Sequence, residues 1–413
     1  MLWGRKNTSV HERSRAVGLD LTASRARAAS VGGGKFRTPL LDDPAEDLLL
    51  FVAGDRRTPE VGRAGYALCR KLPHTVCSNF LPALGQPREW KTGRHTLTPE
   101  PALELAFARL AGPLAAESDT IALTLPYYLT PWQVARVAVI AARARVPLKG
   151  TAAAPLALAA DRAAAVLAGK PAAPDAAAEG VVPMRPAAGG PCSVVVVDAD
   201  EFALTAAVVA LERDSARMVT SAAWPRVSAR AWKDRLLDAV SDRCVRLCRR
   251  DPRDSADAEQ ALFEQLDDAL DRVRAGQRVN LTVRTAHWFQ DVPQQPEEFD
   301  GYCAALAKTA VEGVRELFYN SGLPVPPRAV WLTHAAGRLP GLVKAMHQHT
   351  PEGTEVETLP ASAVPLAAAA LVPRWLAGDL PRQHVDTVLP FVLVSREAPA
   401  AAARPPRSSA PRG

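Results

Sequence analysis

The feature that most constrains the fold of this chain is a short unit that occurs twice. In each copy an apolar run ends in an aspartate, a short turn follows, and a second apolar run begins. The copies read AVGLDLTASRARAASV, with Asp20, and SVVVVDADEFALTAAVVAL, with Asp198. A repeated strand, turn and strand predict two equivalent lobes. A cleft between such lobes would place the two carboxylates opposite each other.

Paired carboxylates at strand ends suggest a metal site. Oxygen ligands that leave room for several waters are what Mg²⁺ prefers. The alternative is that each aspartate merely begins a turn, which Asp does often. The pattern alone favours neither interpretation, so Asp20 and Asp198 are candidate metal ligands on this evidence.

The length of the chain and its apolar periodicity predict an α/β protein with more than one core. The chain has 413 residues, of which 48% are apolar, and single cores stop growing near ~250–300 residues. Mixed strands and helices of the predicted lengths favour sandwiched sheets. Helices are predicted at 101–115, 132–145, 299–321 and 361–377, and strands at 48–53, 120–125, 217–223, 279–285 and 328–332.

The charge of the chain resides in its ends. The net charge is +6, and residues 1–15 and 396–413 each hold four Arg or Lys against one Glu, which leaves the body neutral. Nucleic-acid binding needs basic residues gathered on a folded surface, so no nucleic-acid partner is expected. The start of the chain lacks the apolar core of a signal peptide, and no run of 18 apolar residues occurs. We therefore expect a cytoplasmic protein with no membrane partner.

Several segments resemble the heat-shock 70 kDa (DnaK-type) chaperones. IALTLPYYLTPWQ, residues 121–133, is similar to the family's ITVPAYFNDAQ segment and matches it at Thr124, Pro126, Tyr128 and Gln133. The alignment continues without a gap into VPLKGTAAAPLALA, residues 146–159, where Pro155 falls on the proline of NEPTAAALA. Further similar segments keep the family's order over residues 15–395: GLDL (18–21), VVVVD (194–198), WKDRL (232–236), WLTHAAGRLPGLVKAM (331–346), AVPLAAAALVPRWLAGDL and the linker-like VDTVLPFV.

The resemblance implies a two-lobed actin-like ATPase fold, in which duplicated ribonuclease H-like lobes surround a central cleft. It also implies ATP or ADP with Mg²⁺ as cofactors, held by Asp20, Thr22, Ser24, Asp198 and Arg338. The organisation that it implies is a basic tail (1–14), lobe I (15–167), an Ala/Pro/Gly-rich linker (168–191), lobe II (192–360), a helix crossing back to lobe I (361–377), a linker-like segment (378–395) and a second tail (396–413).

The departures from the family pattern affect the nucleotide site. The glycines of the two phosphate loops are lost, and Asp200 and Glu201 stand in the second loop, where two carboxylates would repel a phosphate unless a basic residue intervened. The family's phosphate-proximal lysine falls on Phe80, and the glutamate of NEPT falls on Ala154. Because phosphoryl transfer depends on positioning and electrostatic stabilisation, little or no hydrolysis is expected.

These departures predict a chaperone-like module that binds other proteins or regulates them. The family's peptide-binding domain is not expected here, because the sequence ends soon after VDTVLPFV, which we expect to dock on the protein's own surface. One alternative is a divergent ATPase that takes a replacement cation from Arg25 or Arg27. A further alternative is an actin-like protein that polymerises. GGGK at 32–35 lacks the rest of a P-loop and predicts a hairpin tip.

Overall fold

The computed structural model describes most of the chain. The described residues are 15–33, 35–92, 94–168, 192–382 and 384–391. The tails predicted at 1–14 and 396–413 lie outside them, as does the predicted linker apart from Ala168.

The first half of the chain, residues 15–168, contains strands β1 to β11 and helices α1 to α4. The strands are β1 (Ala16–Leu21), β2 (Arg25–Gly32), β3 (Lys35–Arg37), β4 (Asp47–Leu49), β5 (Val52–Ala53), β6 (Glu60–Val61), β7 (Val76–Cys77), β8 (Trp90–Lys91), β9 (Thr96–Leu97), β10 (Ile121–Leu125) and β11 (Leu148–Ala153). The helices are α1 (Arg63–Tyr66), α2 (Pro99–Glu117), α3 (Pro131–Arg143) and α4 (Ala154–Leu167).

The remainder of the chain contains strands β12 to β19 and helices α5 to α10. The strands are β12 (Cys192–Ala199), β13 (Leu204–Leu211), β14 (Ser215–Trp224), β15 (Val279–Arg284), β16 (Phe289–Gln294), β17 (Ala329–Leu332), β18 (Glu355–Thr358) and β19 (Val388–Pro390). The helices are α5 (Ala229–Cys248), α6 (Ala256–Arg274), α7 (Pro296–Asn320), α8 (His334–Gly337), α9 (Leu342–His349) and α10 (Ala363–Ala377). Residues 192–360 are called the second half.

The two large sheets are built in the same way. The first has the order β11-β10-β1-β2-β3, and the second has the order β18-β17-β12-β13-β14 followed by β19. In each sheet the central strand pairs in parallel on one side and antiparallel on the other. The repeated unit in the sequence is therefore a repeated supersecondary structure, and the α/β class is confirmed.

The repetition places Asp20 and Asp198 at equivalent positions. Asp20 lies near the end of β1, beside Thr124 of the parallel strand β10. Asp198 lies near the end of β12, one residue after Val197, which pairs with Leu332 of the parallel strand β17. Each aspartate is therefore at the carboxyl end of the central strand of its sheet, where a turn follows.

Helices α4 and α10 form an apolar layer that joins the two sheets. Their small side chains belong to one buried cluster with Ala122 of the first sheet and Val194 and Trp331 of the second. The alanines of AVPLAAAALV allow α10 to lie close to the first sheet, and Gly18 of β1 lies directly under this helix. A Cβ atom at Gly18 would be 1.8 Å from the carbonyl oxygen of Pro365.

The outer faces of the sheets carry the other two cores. Helices α2 and α3 contribute to a cluster over the first sheet, which includes Phe107 and Val137. Helices α5, α6 and α7 contribute to a cluster over the second sheet, which includes Trp232. Phe51 and Tyr66 of the first half belong to this last cluster, so the apolar core is continuous across the two halves.

The segment 384–391 pairs with the edges of both sheets. The amide of Val385 donates to the carbonyl oxygen of Thr151 (3.0 Å), and its own carbonyl accepts from Ala153 (2.9 Å). Strand β19 then pairs antiparallel with β14. The expectation that VDTVLPFV docks on its own protein is confirmed for residues 385–391.

Most predicted elements are present, with small shifts at their ends. Helices α2, α3, α7 and α10 confirm the four predicted helices, and β10, β14, β15 and β17 confirm four of the five predicted strands. The strand predicted at 48–53 is divided into β4 and β5. The hairpin predicted at 32–35 is confirmed between β2 and β3. Helices α5 and α6 were not predicted, although Ser228 and Ser255 cap them through hydrogen bonds to backbone amides.

Replacing Gly18 by Ala should lower the free energy of unfolding by about 2 kcal/mol or more. The added methyl group would overlap Pro365 in α10, so the helix would have to move away from β1. Urea unfolding measures the change. Gly112→Ala is the matched control, because Gly112 lies in α2 with open space around it, and it should raise stability by about 0.5–1 kcal/mol. Equal stability of Gly18→Ala and the unmodified protein would contradict this packing.

Candidate functional site

The two repeated aspartates lie at the bottom of the cleft between the halves and are held alike. Asp20 accepts a hydrogen bond from the hydroxyl of Thr124 (2.9 Å), and Asp198 accepts one from the hydroxyl of Thr333. Each threonine lies at the end of the neighbouring parallel strand or just after it. No lysine or arginine in the described part of the chain forms an ion pair with either carboxylate.

Burial raises the pKa of both aspartates, and a neighbouring carboxylate adds to it in each case, Asp198 for Asp20 and Asp200 for Asp198. Burial contributes most for Asp20 and the charge of Asp198 adds to it, which raises the pKa of Asp20 to about 7. Burial also raises the pKa of Asp198, to about 6, although the hydrogen bond from Thr333 opposes the change. These are the properties of two carboxyl groups close together without a neutralising cation.

The first turn, between β1 and β2, uses its hydroxyl groups to hold itself together. The hydroxyl of Thr22 donates to the carbonyl oxygen of Arg25 (3.1 Å) and accepts from the amide of Arg25 (3.2 Å). Thr22 and Ser24 are both buried. The one amide of this turn that bonds across the cleft is that of Ala23.

Asp200, in the second turn, joins the two turns through its side chain. One carboxylate oxygen accepts from the amide of Ala23 (2.9 Å) and from the hydroxyl of Tyr128 (2.7 Å), both in the first half. The other oxygen accepts from the amides of Phe202 and Ala203, each at 2.9 Å. Asp200 is only 5% exposed. We call this arrangement the Asp200 clasp.

The position of Tyr128 in the clasp follows from the segment that carries it. PYYLTPWQ leads into α3, which begins with a capping box: the hydroxyl of Thr130 accepts from the amide of Gln133, and the Gln133 side chain accepts from the amide of Thr130. The Tyr128 ring also packs against Phe202, with ring centroids 5.0 Å apart. The residues shared with the DnaK-type segment therefore position a contact between the halves.

Next to the clasp lies a group of ion pairs around Asp267 of α6. Lys233, only 2% exposed, donates to Glu201 (2.8 Å) and to Asp267 (2.9 Å). Arg338 pairs with Asp267, and Arg25 of the first half reaches it at 3.5 Å. Although burial alone would raise the pKa of Asp267, the charges of Lys233, Arg338 and Arg25 hold it well below its ordinary value. We call this group the Asp267 cluster.

Aromatic and amide contacts close the cleft beyond the Asp267 cluster. The ring of Tyr66 lies 5.2 Å from that of Phe263 in α6, and its hydroxyl donates to Asp267 (2.8 Å). The guanidinium of Arg70 lies 4.5 Å from the centre of the Phe263 ring. The side chain of Gln260 accepts from the amide of Arg70 (2.8 Å) and donates to the carbonyl oxygen of Tyr66 (2.8 Å).

A cavity of about 610 Å³ remains beside the Asp267 cluster. Arg25, Arg27 and Arg338 line it together with Asp47, Asp267 and other acidic residues. Arg25 is bound to Asp47 (3.1 Å), and Arg27 is bound to the same carboxylate. Arg338 is bound to Asp267, so three of the four arginines that line the space are paired; Arg63, the fourth, forms no ion pair among the described residues.

The residues present do not fit a magnesium nucleotide in this conformation. A bound phosphate needs free amides in the turns, and the clasp uses those of Ala23, Phe202 and Ala203. Arg338, which the resemblance assigns to the adenine, is buried and paired with Asp267 and Asp271. The charge of Asp198 contributes to the raised pKa of Asp20, and a phosphate beside these two carboxylates would meet repulsion unless a cation accompanied it.

Sequence reasoning found part of this site. It identified Asp20, Asp198 and Arg338, and it predicted that no cation occupies the position of Phe80, which is fully buried in the core. It missed the bridging role of Asp200 and the buried Lys233 that neutralises Glu201. The presence of Asp200 in place of a phosphate-loop glycine was the available signal.

Comparison with known proteins adds no family assignment. No protein-family model matches the chain, and no curated protein matches it. In the described ranges, no helix has both the length and the apolar character needed to cross a membrane. Among the same residues, no group of three or more His, Cys, Asp or Glu side chains is arranged to hold a metal ion.

Replacing Asp20 by Asn should stabilise the protein at about pH 8, by up to about 4 kcal/mol. The pKa of Asp20 is raised from 3.8 to about 7, so the folded state binds more protons there than the unfolded chain does within that range. This carboxyl therefore makes the wild-type protein less stable as the pH rises through that window. The gain from Asp20→Asn should disappear as the pH falls towards 4.

Urea unfolding of both proteins over this pH range measures the difference. Asp55→Asn, at an exposed position of the first half, serves as the control and should leave stability unchanged at each pH. A gain for Asp20→Asn that does not depend on pH would contradict the assignment of the strain to an ionised pair.

Proposed function

We propose that this chain is a degenerate ATPase module of the DnaK type, with an actin-like fold, that works as a protein-binding or regulatory factor. The duplicated sheets, the equivalent aspartates and helix α10, which packs against β1, support the two-lobed architecture. The family segments quoted from the sequence fall on these elements in the family's order.

The observation that carries the functional part of the proposal is the Asp200 clasp. Its carboxylate accepts hydrogen bonds from the amides of both turns, the groups that would otherwise bind phosphate. A phosphate would have to displace an anion that is tethered beside these donors and so competes at a high effective concentration. Two of its four hydrogen bonds, those from Ala23 and Tyr128, join the halves. Burial nevertheless raises the pKa of Asp200, although the four hydrogen bonds oppose the change.

The groups that hydrolysis would require are also missing. Phe80 is a core residue, and Ala154 offers no carboxylate to orient a water molecule. The two aspartates at the bottom of the cleft have no cation of their own. Several such losses together remove most of what phosphoryl transfer uses. A static, closed module is what remains.

One observation favours the alternative of a divergent ATPase. Arg25 and Arg27 line the large cavity, as a replacement cation would have to. In the closed cleft both guanidinium groups are paired with Asp47, so this function would require those pairs to break. The experiment that tests the proposal also tests this alternative.

An exposed helix face supports the protein-binding role. Helix α3 exposes Trp132 (51%) and Val139 (44%), and the alanines between them are exposed too. The guanidinium of Arg136 lies 5.6 Å from the centre of a Trp132 ring. Tryptophan and arginine are enriched at the centres of protein interfaces. Because α3 contains arginines and no acidic residue, the charge of this face complements an acidic partner segment.

Millimolar Mg·ATP or Mg·ADP should not raise the melting temperature of the wild-type protein. Ligand binding to the folded state stabilises it by mass action, and the clasp prevents that binding. Asp200→Gly should free the amides and create a measurable upward shift with Mg·ATP. Asp200→Asn keeps an acceptor for the amides and serves as the control for the loss of charge alone.

A wild-type shift of several degrees that the double variant Asp20→Asn, Asp198→Asn abolishes would overturn the proposal. If Arg25→Ala and Arg27→Ala then abolished ATP hydrolysis, the divergent ATPase would be the correct function. ATP turnover by the unmodified protein is measured in parallel.

Trp132→Ala should weaken binding of an acidic amphipathic helical peptide by about tenfold or more. The indole is half exposed, so its removal should leave the melting temperature nearly unchanged. Fluorescence anisotropy of a labelled peptide rich in Glu and Leu measures the affinity. Leu376→Ala, at a residue of α10 that is 59% exposed, is the matched control and should bind normally. Equal affinities of the two variants would show that the α3 face is not the contact surface.

A further inference from the structure

A smaller, separate cavity lies between the halves next to Asp198. Its volume is about 220 Å³. The first half contributes Tyr127, Pro155 and Leu158 to its wall, and the second half contributes Asp198 and Ala222. A molecule bound here would touch both halves without entering the space beside the Asp267 cluster.

The chemistry of the wall selects the charge of a ligand. Most lining side chains are alanine, valine, leucine or proline, and the only acidic one is Asp198. No lysine, arginine or histidine is among the lining residues. The cavity therefore repels anions, including phosphates, and offers a carboxylate to a cation at one end of an apolar space.

Asp198 is suited to that role because nothing in the described chain neutralises it. Its one side-chain partner is the hydroxyl of Thr333, and no lysine or arginine pairs with it. The negative charge of Asp200 adds to the repulsive surroundings of Asp198, and the guanidinium of Arg25 opposes it from a distance. A buried carboxylate gains most from a partner of opposite charge when its surroundings are otherwise repulsive.

The size of the cavity limits the ligand to one ring and a short chain. A dry cavity of about 150 Å³ is known to hold benzene. The additional volume here, for a total of about 220 Å³, corresponds to two or three further heavy atoms. A ring against Pro155 and Leu158 and an ammonium group towards Asp198 would fill both the apolar and the charged part.

We propose that this cavity is a binding site for a small protonated arylalkylamine, which pairs with Asp198 and bridges the two halves of the protein. Because its wall comes from both halves, an occupant strengthens their contact and stabilises the closed cleft. The cavity shares Asp198 with the residues assigned to the nucleotide, and Tyr128 of the Asp200 clasp and Ala154 also line it. The amine is tested without nucleotide, so this proposal does not rest on the proposed loss of nucleotide binding.

Isothermal calorimetry and melting curves with 2-phenylethylamine test the site at about pH 8, where an alkylamine carries its proton. The amine should bind saturably at millimolar concentration or below and raise the melting temperature. The neutral analogue 2-phenylethanol should bind at least about tenfold more weakly than the amine, and the anion phenylacetate should not bind. No saturable binding of the amine, or equal binding of the alcohol, would overturn the proposal.

Three variants locate the binding. Ala222→Leu fills the cavity from a half-buried position of β14 and should abolish amine binding. Asp198→Asn should reduce the amine to the affinity of the alcohol. Asp55→Asn removes an exposed carboxylate of the first half that does not line the cavity, and it should leave the amine bound. Amine binding that survives Ala222→Leu, or that Asp55→Asn abolishes, would place the ligand elsewhere.

Because the comparison of amine, alcohol and anion uses the unmodified protein, the test does not depend on any variant folding. It is also separate from the nucleotide test. A protein that binds both Mg·ATP and the amine would contradict the proposed function and support this site. A protein that binds neither would agree with the proposed function and contradict this site.

Discussion

The structure depends on one buried carboxylate, that of Asp200, which holds the turns of the two halves against each other. It accepts hydrogen bonds from Ala23 and Tyr128 on one side of the cleft and from Phe202 and Ala203 on the other. A buried carboxylate requires donors, and backbone amides at turns require an acceptor. The Asp200 carboxylate accepts hydrogen bonds from these amides, so the amides do not need an external anion as acceptor.

The other buried carboxylates between the halves also have partners, except for one pair. Glu201, Asp47 and Asp267 are each paired with a lysine or an arginine, so their burial is offset. Asp20 and Asp198 have only threonine hydroxyls, and their pKa values are raised accordingly. Burial of unpaired charge is destabilising, so a cation beside this pair would stabilise it. The small cavity opens beside Asp198 and away from the paired groups.

The fold was largely predictable because its signals are local and repeated. Alternation and apolar runs identified the central strands, and the alanine-rich helix α10 and the capped helix α3 were predicted within a few residues. Helices α5 and α6 were missed, although their buried apolar residues recur at helical spacing and serine caps mark their starts. The break between β4 and β5 was not predictable, since it depends on pairing with strands distant in sequence.

The duplication, the α/β class and the equivalent positions of Asp20 and Asp198 could be inferred from the amino-acid sequence, because strand periodicity and an aspartate at a strand end are properties of neighbouring residues. The partners of the charged groups in the two turns could not be inferred in this way. Asp200 and Ala23 are 177 positions apart, and Lys233 meets Asp267 between two helices. Such partners are set by the packing of the two halves, and that packing has no signature in any single stretch of the chain.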